Sequence, residues 1–107
     1  MKHIYCPEIE GLDASLLGIE GASKMMVKLI SEDTVRVEIL PGGFTPLHVH
    51  DDKERIVIMT GTGEIKSGDG KEAAQPGDFA EFDRSEPHQI LNNSDNILAF
   101  MCFRNQR

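Results

Sequence analysis

The sequence predicts a single all-β domain, a barrel or sandwich of about eight strands, and three observations predict it. A chain of 107 residues has room for one domain. No long segment keeps the i, i+3, i+4 apolar spacing of an amphipathic helix. Short runs with period-2 alternation recur instead, divided by Gly, Pro, Asp and Asn. Hydrophobic residues at 39% and charged residues at 27% make an ordinary soluble composition, too apolar for disorder and too broken by charge for a bilayer span. A chain of this length buries roughly two-thirds of its unfolded surface, so a core forms without disulfide staples.

Along the chain, residues 1–23 are poorly patterned, with Pro7, Gly11, Gly18 and Gly21 among acidic residues. They read as an N-terminal arm with one strand or helical turn around Ala14–Ile19, packed on a barrel domain spanning residues 24–107. Lys24–Ile30 is the first candidate strand. The clearest follows at Thr34–Leu40, where Val35, Val37 and Ile39 face inward and Arg36 and Glu38 face water. Pro41-Gly42-Gly43 is expected to end it. Thr45–His50, Glu54–Thr60, Gly63–Lys66, Asp78–Phe82, His88–Asn92 and Asn96–Arg104 complete the set. In Glu54–Thr60, Ile56, Ile58 and Thr60 share the inward parity of Glu54, and Arg55 points out. The run Ile97–Phe103 is apolar on both faces, so its second face lies under another strand or against a second subunit. No linker, repeat or low-complexity tract interrupts the chain.

Eleven Lys plus Arg against eighteen Asp plus Glu give a formal charge of −7. A surface of that sign repels phosphate backbones and anionic headgroups, which speaks against nucleic acid and membrane as partners. Cys6 and Cys102 stand far apart without CxxC spacing and read as free thiols of a reducing compartment. No signal-peptide core is recognisable near Met1, so the cytoplasm is the expected location.

The metal-capable side chains cluster. Gly42 is followed after five residues by His48-Val49-His50, after three more by Glu54, and after six more by Gly61. On a strand, positions i and i+2 project to one face, so His48 and His50 present two imidazoles to one point. Asp51, Asp52 and Lys53 read as a turn, since Asp bonds its own nearby backbone, and the returning strand brings Glu54 beside the imidazoles. Downstream, Gly77, Asp83-Arg84-Ser85, His88 and Asn92 supply a further imidazole at a strand start.

These two stretches resemble the two motifs of the cupin superfamily. Gly42, His48, His50, Glu54 and Gly61 match the first, and Gly77, His88 and Asn92 match the second, with Asp83 and Ser85 standing where the pattern has Pro and Gly. The resemblance covers roughly residues 34–104. It implies an antiparallel double-stranded β-helix, or jelly roll, with His48, His50, Glu54 and His88 as ligands of one metal ion inside the barrel. It also implies a homodimer. Three imidazoles and a carboxylate suit one divalent transition metal, Mn, Fe, Co, Ni, Cu or Zn, and leave positions open for water, dioxygen or substrate oxygens.

The expected function is therefore a metal-dependent enzyme on a small organic molecule. A dioxygenase type is favoured, with decarboxylation and isomerisation also within reach of the site. Glu54 doubles as a candidate catalytic general base. The alternatives are a non-enzymatic cupin that binds or senses a small ligand, and a metal-free lectin-like barrel. Phe44, Phe79, Phe82, Phe100 and Phe103 with Met59 and Met101 are core residues or cavity walls, Asn92 fixes a turn, and His3 and Glu81 are solvated. The glycines have no phosphate-loop spacing.

Overall fold

A computed structural model of the protein describes residues 1–47, 52–68 and 70–105. Among these are nine strands and no α-helix: β1 (Leu12–Asp13), β2 (Ser23–Ser31), β3 (Thr34–Phe44), β4 (Lys53–Thr60), β5 (Gly63–Ser67), β6 (Gly70–Ala74), β7 (Phe79–Phe82), β8 (His88–Leu91) and β9 (Leu98–Asn105). Every pairing is antiparallel. The hydrogen-bonded order runs β6-β5-β8-β3-β9-β4-β7, with β2 also on β3 and β1 on β2. The result is an all-β jelly roll.

The strand that joins the two halves is β3. Its first half is clasped between β2 and β9, Val37 lying opposite both Val27 and Phe100. Its far end crosses to β8, where Phe44 pairs with Leu91. Pro41-Gly42-Gly43 was expected to stop this strand and instead forms its corner. The amide of Gly42 donates to the Asn92 carbonyl, and that of Asn92 to the Gly43 carbonyl, each at 2.9 Å, so the ladder continues through the bend. Gly42 takes a φ of +83°, open to glycine without strain. The chain leaves the strand at Thr45-Pro46-Leu47: the Thr45 amide still donates to the Ile90 carbonyl at 2.9 Å, but the three residues do not form the strand expected there. The remainder of that candidate strand, with His48, His50 and Asp51, lies outside the described residues.

Between the sheets, Ile39, Ile56, Ile58, Leu98 and Phe100 are buried to within 2%. They are the inward positions of β3, β4 and β9, as the alternation predicts. Thr60 departs from it. A register shift between Ile58 and Thr60 against β9 resets the parity, and Thr60 is exposed. Arg55 points outward, its Nε donating to Glu81 Oε2 at 2.7 Å. Strand β6 was not expected: Gly70-Lys71-Glu72-Ala73-Ala74 has no β-branched or aromatic residue, and five cross-strand pairs with β5 hold it as a polar edge.

The arm begins with a 3₁₀ turn at Cys6–Glu8 and runs into β1, which adds to the sheet at Leu12↔Val27 and Asp13↔Met26. A second 3₁₀ turn, Ala14–Leu17, is capped by Asp13, which accepts from the Ser15 amide at 2.9 Å, and buries Ala14 in the core. Of the strand or helical turn expected around Ala14–Ile19, the chain forms the turn.

Two local devices hold the ends of β8. After it, Asn92 is 1% exposed; its Nδ2 donates to the carbonyls of Ile39 and Asn96, and its Oδ1 accepts from the amide and hydroxyl of Ser94. Before it, the turn Asp83–Glu86 closes with the Glu86 amide on the Asp83 carbonyl at 3.2 Å and the Asp83 amide on Glu86 Oε1 at 2.9 Å. The Ser67 hydroxyl donates to Glu86 as well, and these bonds hold its carboxyl below the usual pKa. Ser85 sits in this turn at φ +63°, a left-handed conformation that glycine adopts freely and other residues do not. It occupies the place where the motif has Gly.

Asn92→Ala is expected to lower the unfolding free energy by about 2–3 kcal/mol in urea titration, because the buried Ile39 carbonyl and the partly buried Asn96 carbonyl lose their donor and the Ser94 turn its acceptor. Ser85→Gly should raise it by about 0.5–1 kcal/mol, the relief of the left-handed strain exceeding the entropy of the added glycine. A fall in stability for Ser85→Gly would show that the turn is unstrained.

Candidate metal centre and cavity

Glu54 and His88 come from opposite halves of the fold. Glu54 opens the inward row of β4, paired with Phe82 on one side and Arg104 on the other. His88 is the first residue of β8. Both are buried, at 7% and 1% exposure. His88 Nε2 lies 2.5 Å from Glu54 Oε2, and His88 Nδ1 lies 3.0 Å from the Glu86 carbonyl.

The second contact decides the first. A carbonyl oxygen can only accept, so Nδ1 carries the proton and Nε2 turns its lone pair toward a carboxylate oxygen. Two acceptors at that distance require a cation, either a proton on Nε2 or a metal ion bound by both groups. Burial opposes charging of His88, but the Glu54 and Glu86 hydrogen bonds and the two carboxylate charges outweigh it and hold its pKa above the ordinary value. Imidazole nitrogen with carboxylate oxygen is a donor pair for a divalent transition ion, and a carbonyl on the other ring nitrogen is the usual support of a ligating histidine. The residues therefore fit such an ion. Among the described residues no three metal-capable groups converge as a set. His48 and His50, the other expected ligands, lie outside the described residues.

Two side chains that the sequence did not single out for this role complete the setting. Phe82 stacks face to face on His88, ring centroids 4.0 Å apart and planes 2° from parallel, which fixes the imidazole plane. Cys102 Sγ donates to Glu54 Oε1 at 3.3 Å, leaving Oε2 directed at His88. Burial and then the Glu54 charge push the Cys102 thiol well up, so it remains a donor and not a thiolate. Parity places Cys102 on the inward face of β9 with Leu98 and Phe100, while the place of Phe82 follows from its pairing with Glu54 between β7 and β4. Cys6 and Cys102 are free.

A cavity of about 410 Å³ opens beside this pair. Glu54, Thr45 and Cys102 stand in its wall, with Val27, Val37 and Phe100 deeper in the barrel and Leu17 and Ile19 contributed by the arm. Of the aromatic and Met residues considered as cavity walls, Phe100 is the one that lines it. Phe79, Phe103 and Met59 are exposed on the outer face instead. Glu81 is an outward ion-pair partner of Arg55 and Lys53, and His3 is exposed. Among the described residues no helix is long and apolar enough to cross a membrane.

The comparisons with known proteins agree with this geometry. The chain superposes on a polyketide cyclase, RemF, from Streptomyces resistomycificus with a TM-score of 0.85 and 22% identity, over 97% of this chain and 78% of that one. It superposes on a predicted oxalate decarboxylase from Thermotoga maritima at 0.83 and 22%, over 96% and 97% of the two chains. The cupin domain of an XRE family transcriptional regulator from Enterobacter cloacae gives 0.69 and 21%, over 79% of this chain and 99% of that one. These likenesses establish a shared fold. No curated protein matches in sequence. A family profile described as Cupin domain matches residues 35–104, well over half the chain and the span that holds β3 to β9, and by that match the chain belongs to the cupin family.

Proposed function

We propose that the protein is a metal-dependent enzyme acting on a small organic molecule, with His48, His50, Glu54 and His88 as the ligands of one divalent transition ion. The observation that carries the reading is the buried pair of facing acceptors, Glu54 Oε2 and His88 Nε2, with the Glu86 carbonyl holding the proton on the far nitrogen. The i, i+2 spacing of His48 and His50 supports the rest of the set. Such an ion supplies Lewis acidity and open positions for a substrate's oxygen atoms when bound. Manganese, iron, cobalt, nickel, copper and zinc all suit the donors.

The chain's own groups have definable tasks. Phe82 and Glu86 keep His88 in one orientation and one tautomer. Cys102 holds one oxygen of Glu54 and leaves the other presented to His88. Glu54, at the wall of the cavity, is the group we assign as general base toward a bound molecule. Dioxygenase-type chemistry is the reaction class we favour, with decarboxylation and isomerisation as the other members, because mixed nitrogen and oxygen ligation leaves room for a chelating substrate. A polyketide cyclase, a decarboxylase and a regulator domain share the fold, so the fold does not choose among them.

One observation favours a second reading, a cupin that binds or senses a ligand without turnover. The other carboxylate of the cavity, Glu20, is exposed at its rim, so no second carboxylate accompanies Glu54 on the described inner wall. The free thiols suit a cytoplasmic protein in either case. We also assign a homodimer. Phe79, Met59 and Phe103 lie exposed on the outer face of β7, β4 and β9, and the second face of β9 was expected to be covered.

Protein purified without chelator should contain close to one transition-metal equivalent by elemental analysis, and His88→Ala or His50→Ala should reduce affinity at least about tenfold while circular dichroism retains the β signal. Unchanged metal content in both variants would remove the ligand assignment. Light scattering at micromolar concentration should return about twice the 11.9 kDa of one chain. The mass of one chain would refute the dimer.

A further inference from the structure

We propose that the cavity selects an apolar-bodied molecule of about two fused rings with its oxygen atoms at one end, and that Leu17, Ile19 and Leu29 form the selecting rim. The proposal deepens the reading above, on which it rests for the chemistry at the Glu54 end.

Size comes first. An apolar cavity of about 150 Å³ accommodates one benzene ring, so 410 Å³ has room for a two-ring body. Lining comes second. Val27, Val37, Ile90 and Phe100 make the inner walls, and their side chains offer no hydrogen bond. The polar groups set among them are already engaged: Thr45 Oγ1 accepts the Ile90 amide at 2.9 Å and donates to the Pro46 carbonyl, and Cys102 donates to Glu54. A sugar would have to strip water from several hydroxyls and leave them unpaired against these walls, at a cost of about 1–3 kcal/mol for each. A fused-ring body loses nothing there and gains from burial.

The polarity is also ordered along the cavity. Glu54, beside His88, is the buried charge in its wall, while Glu20 and Arg104 are more open to solvent. An oxygen-terminated molecule therefore places its oxygen at Glu54 and its rings along β2 and β3. At the rim, Leu17 and Leu29 line the cavity although both are exposed, at 37% and 54%. Because these leucines line the cavity as well as facing solvent, an apolar molecule resting at the opening covers apolar surface on both.

The test is titration calorimetry of the purified protein, its metal content measured beforehand, with 2-naphthol, D-glucose and D-glucuronate. Naphthol should bind at least about tenfold more tightly than either sugar, with a negative heat-capacity change. Leu17→Asp and Leu29→Asp, at sites where solvent already reaches, should fold normally and each weaken naphthol binding at least about fivefold without altering metal content. Sugar binding equal to or tighter than naphthol binding would overturn the assigned class, and undiminished naphthol binding in both leucine variants would overturn the assigned rim. The same titration on His50→Ala separates the two readings: if that variant keeps its metal the ligand assignment fails, while its naphthol binding still decides the cavity.

Discussion

The buried approach of Glu54 to His88 is the interaction around which this barrel is arranged. A carboxylate and an imidazole lone pair aimed at each other in a dry interior are unfavourable unless a cation joins them, and the surrounding contacts all hold the pair in that position. The two residues sit on strands that are not hydrogen-bonded to each other. Their meeting depends on β3, which pairs with β9 in one half and with β8 in the other and so closes the two sheets over a common interior. A corner that ended the strand at Pro41 would leave β8 unregistered against β4. The ladder through Gly42 and Gly43 therefore acts on the meeting of Glu54 and His88 although neither glycine touches them.

How much of this could be read in the sequence follows from which forces are local. Alternation in Val35-Arg36-Val37-Glu38-Ile39 and in Glu54–Ile58 is a local property, and the inward rows of β3 and β4 are where it places them. The fates of Thr60, of Pro41-Gly42-Gly43 and of Gly70–Ala74 depend on pairing with strands distant in sequence. A bulge against β9 turns Thr60 outward, β8 carries β3 through its corner, and β5 imposes extension on a segment with no strand propensity of its own. That Glu54 and His88 face one another across the interior was legible by motif and parity. Phe82 and Cys102 were legible only in part, because their roles depend on the cross-strand registers Glu54↔Phe82 and Ile56↔Cys102, which no single strand encodes.

Ser85 shows how a departure from the motif is absorbed. The turn before His88 needs a left-handed residue, and a serine holds that conformation because Glu86 ties the turn from both sides, to the Asp83 amide and to the Ser67 hydroxyl on the neighbouring β5. The same residue then offers its backbone carbonyl to His88 Nδ1. Strain at position 85 and the tautomer of the His88 imidazole are thus linked through Glu86.

The cavity wall draws on two parts of the chain. The residues around the cation-demanding pair all fall within 35–104, the span matched by the family. Leu17, Ile19, Met25, Val27 and Leu29, which form much of the cavity wall, all precede it. They belong to the arm and to β2, where the contacts that matter are β1 pairing on β2 and Ala14 entering the core. Family membership therefore bears on the Glu54 and His88 end of the cavity more than on its rim. The N-terminal residues share the cavity wall with Val37, Ile90 and Phe100, and their pattern is weak because they pack onto a surface built by the rest of the chain. An arm of this kind can change its side chains without disturbing the β3 corner or the β8 turn, so one barrel can present different cavity rims.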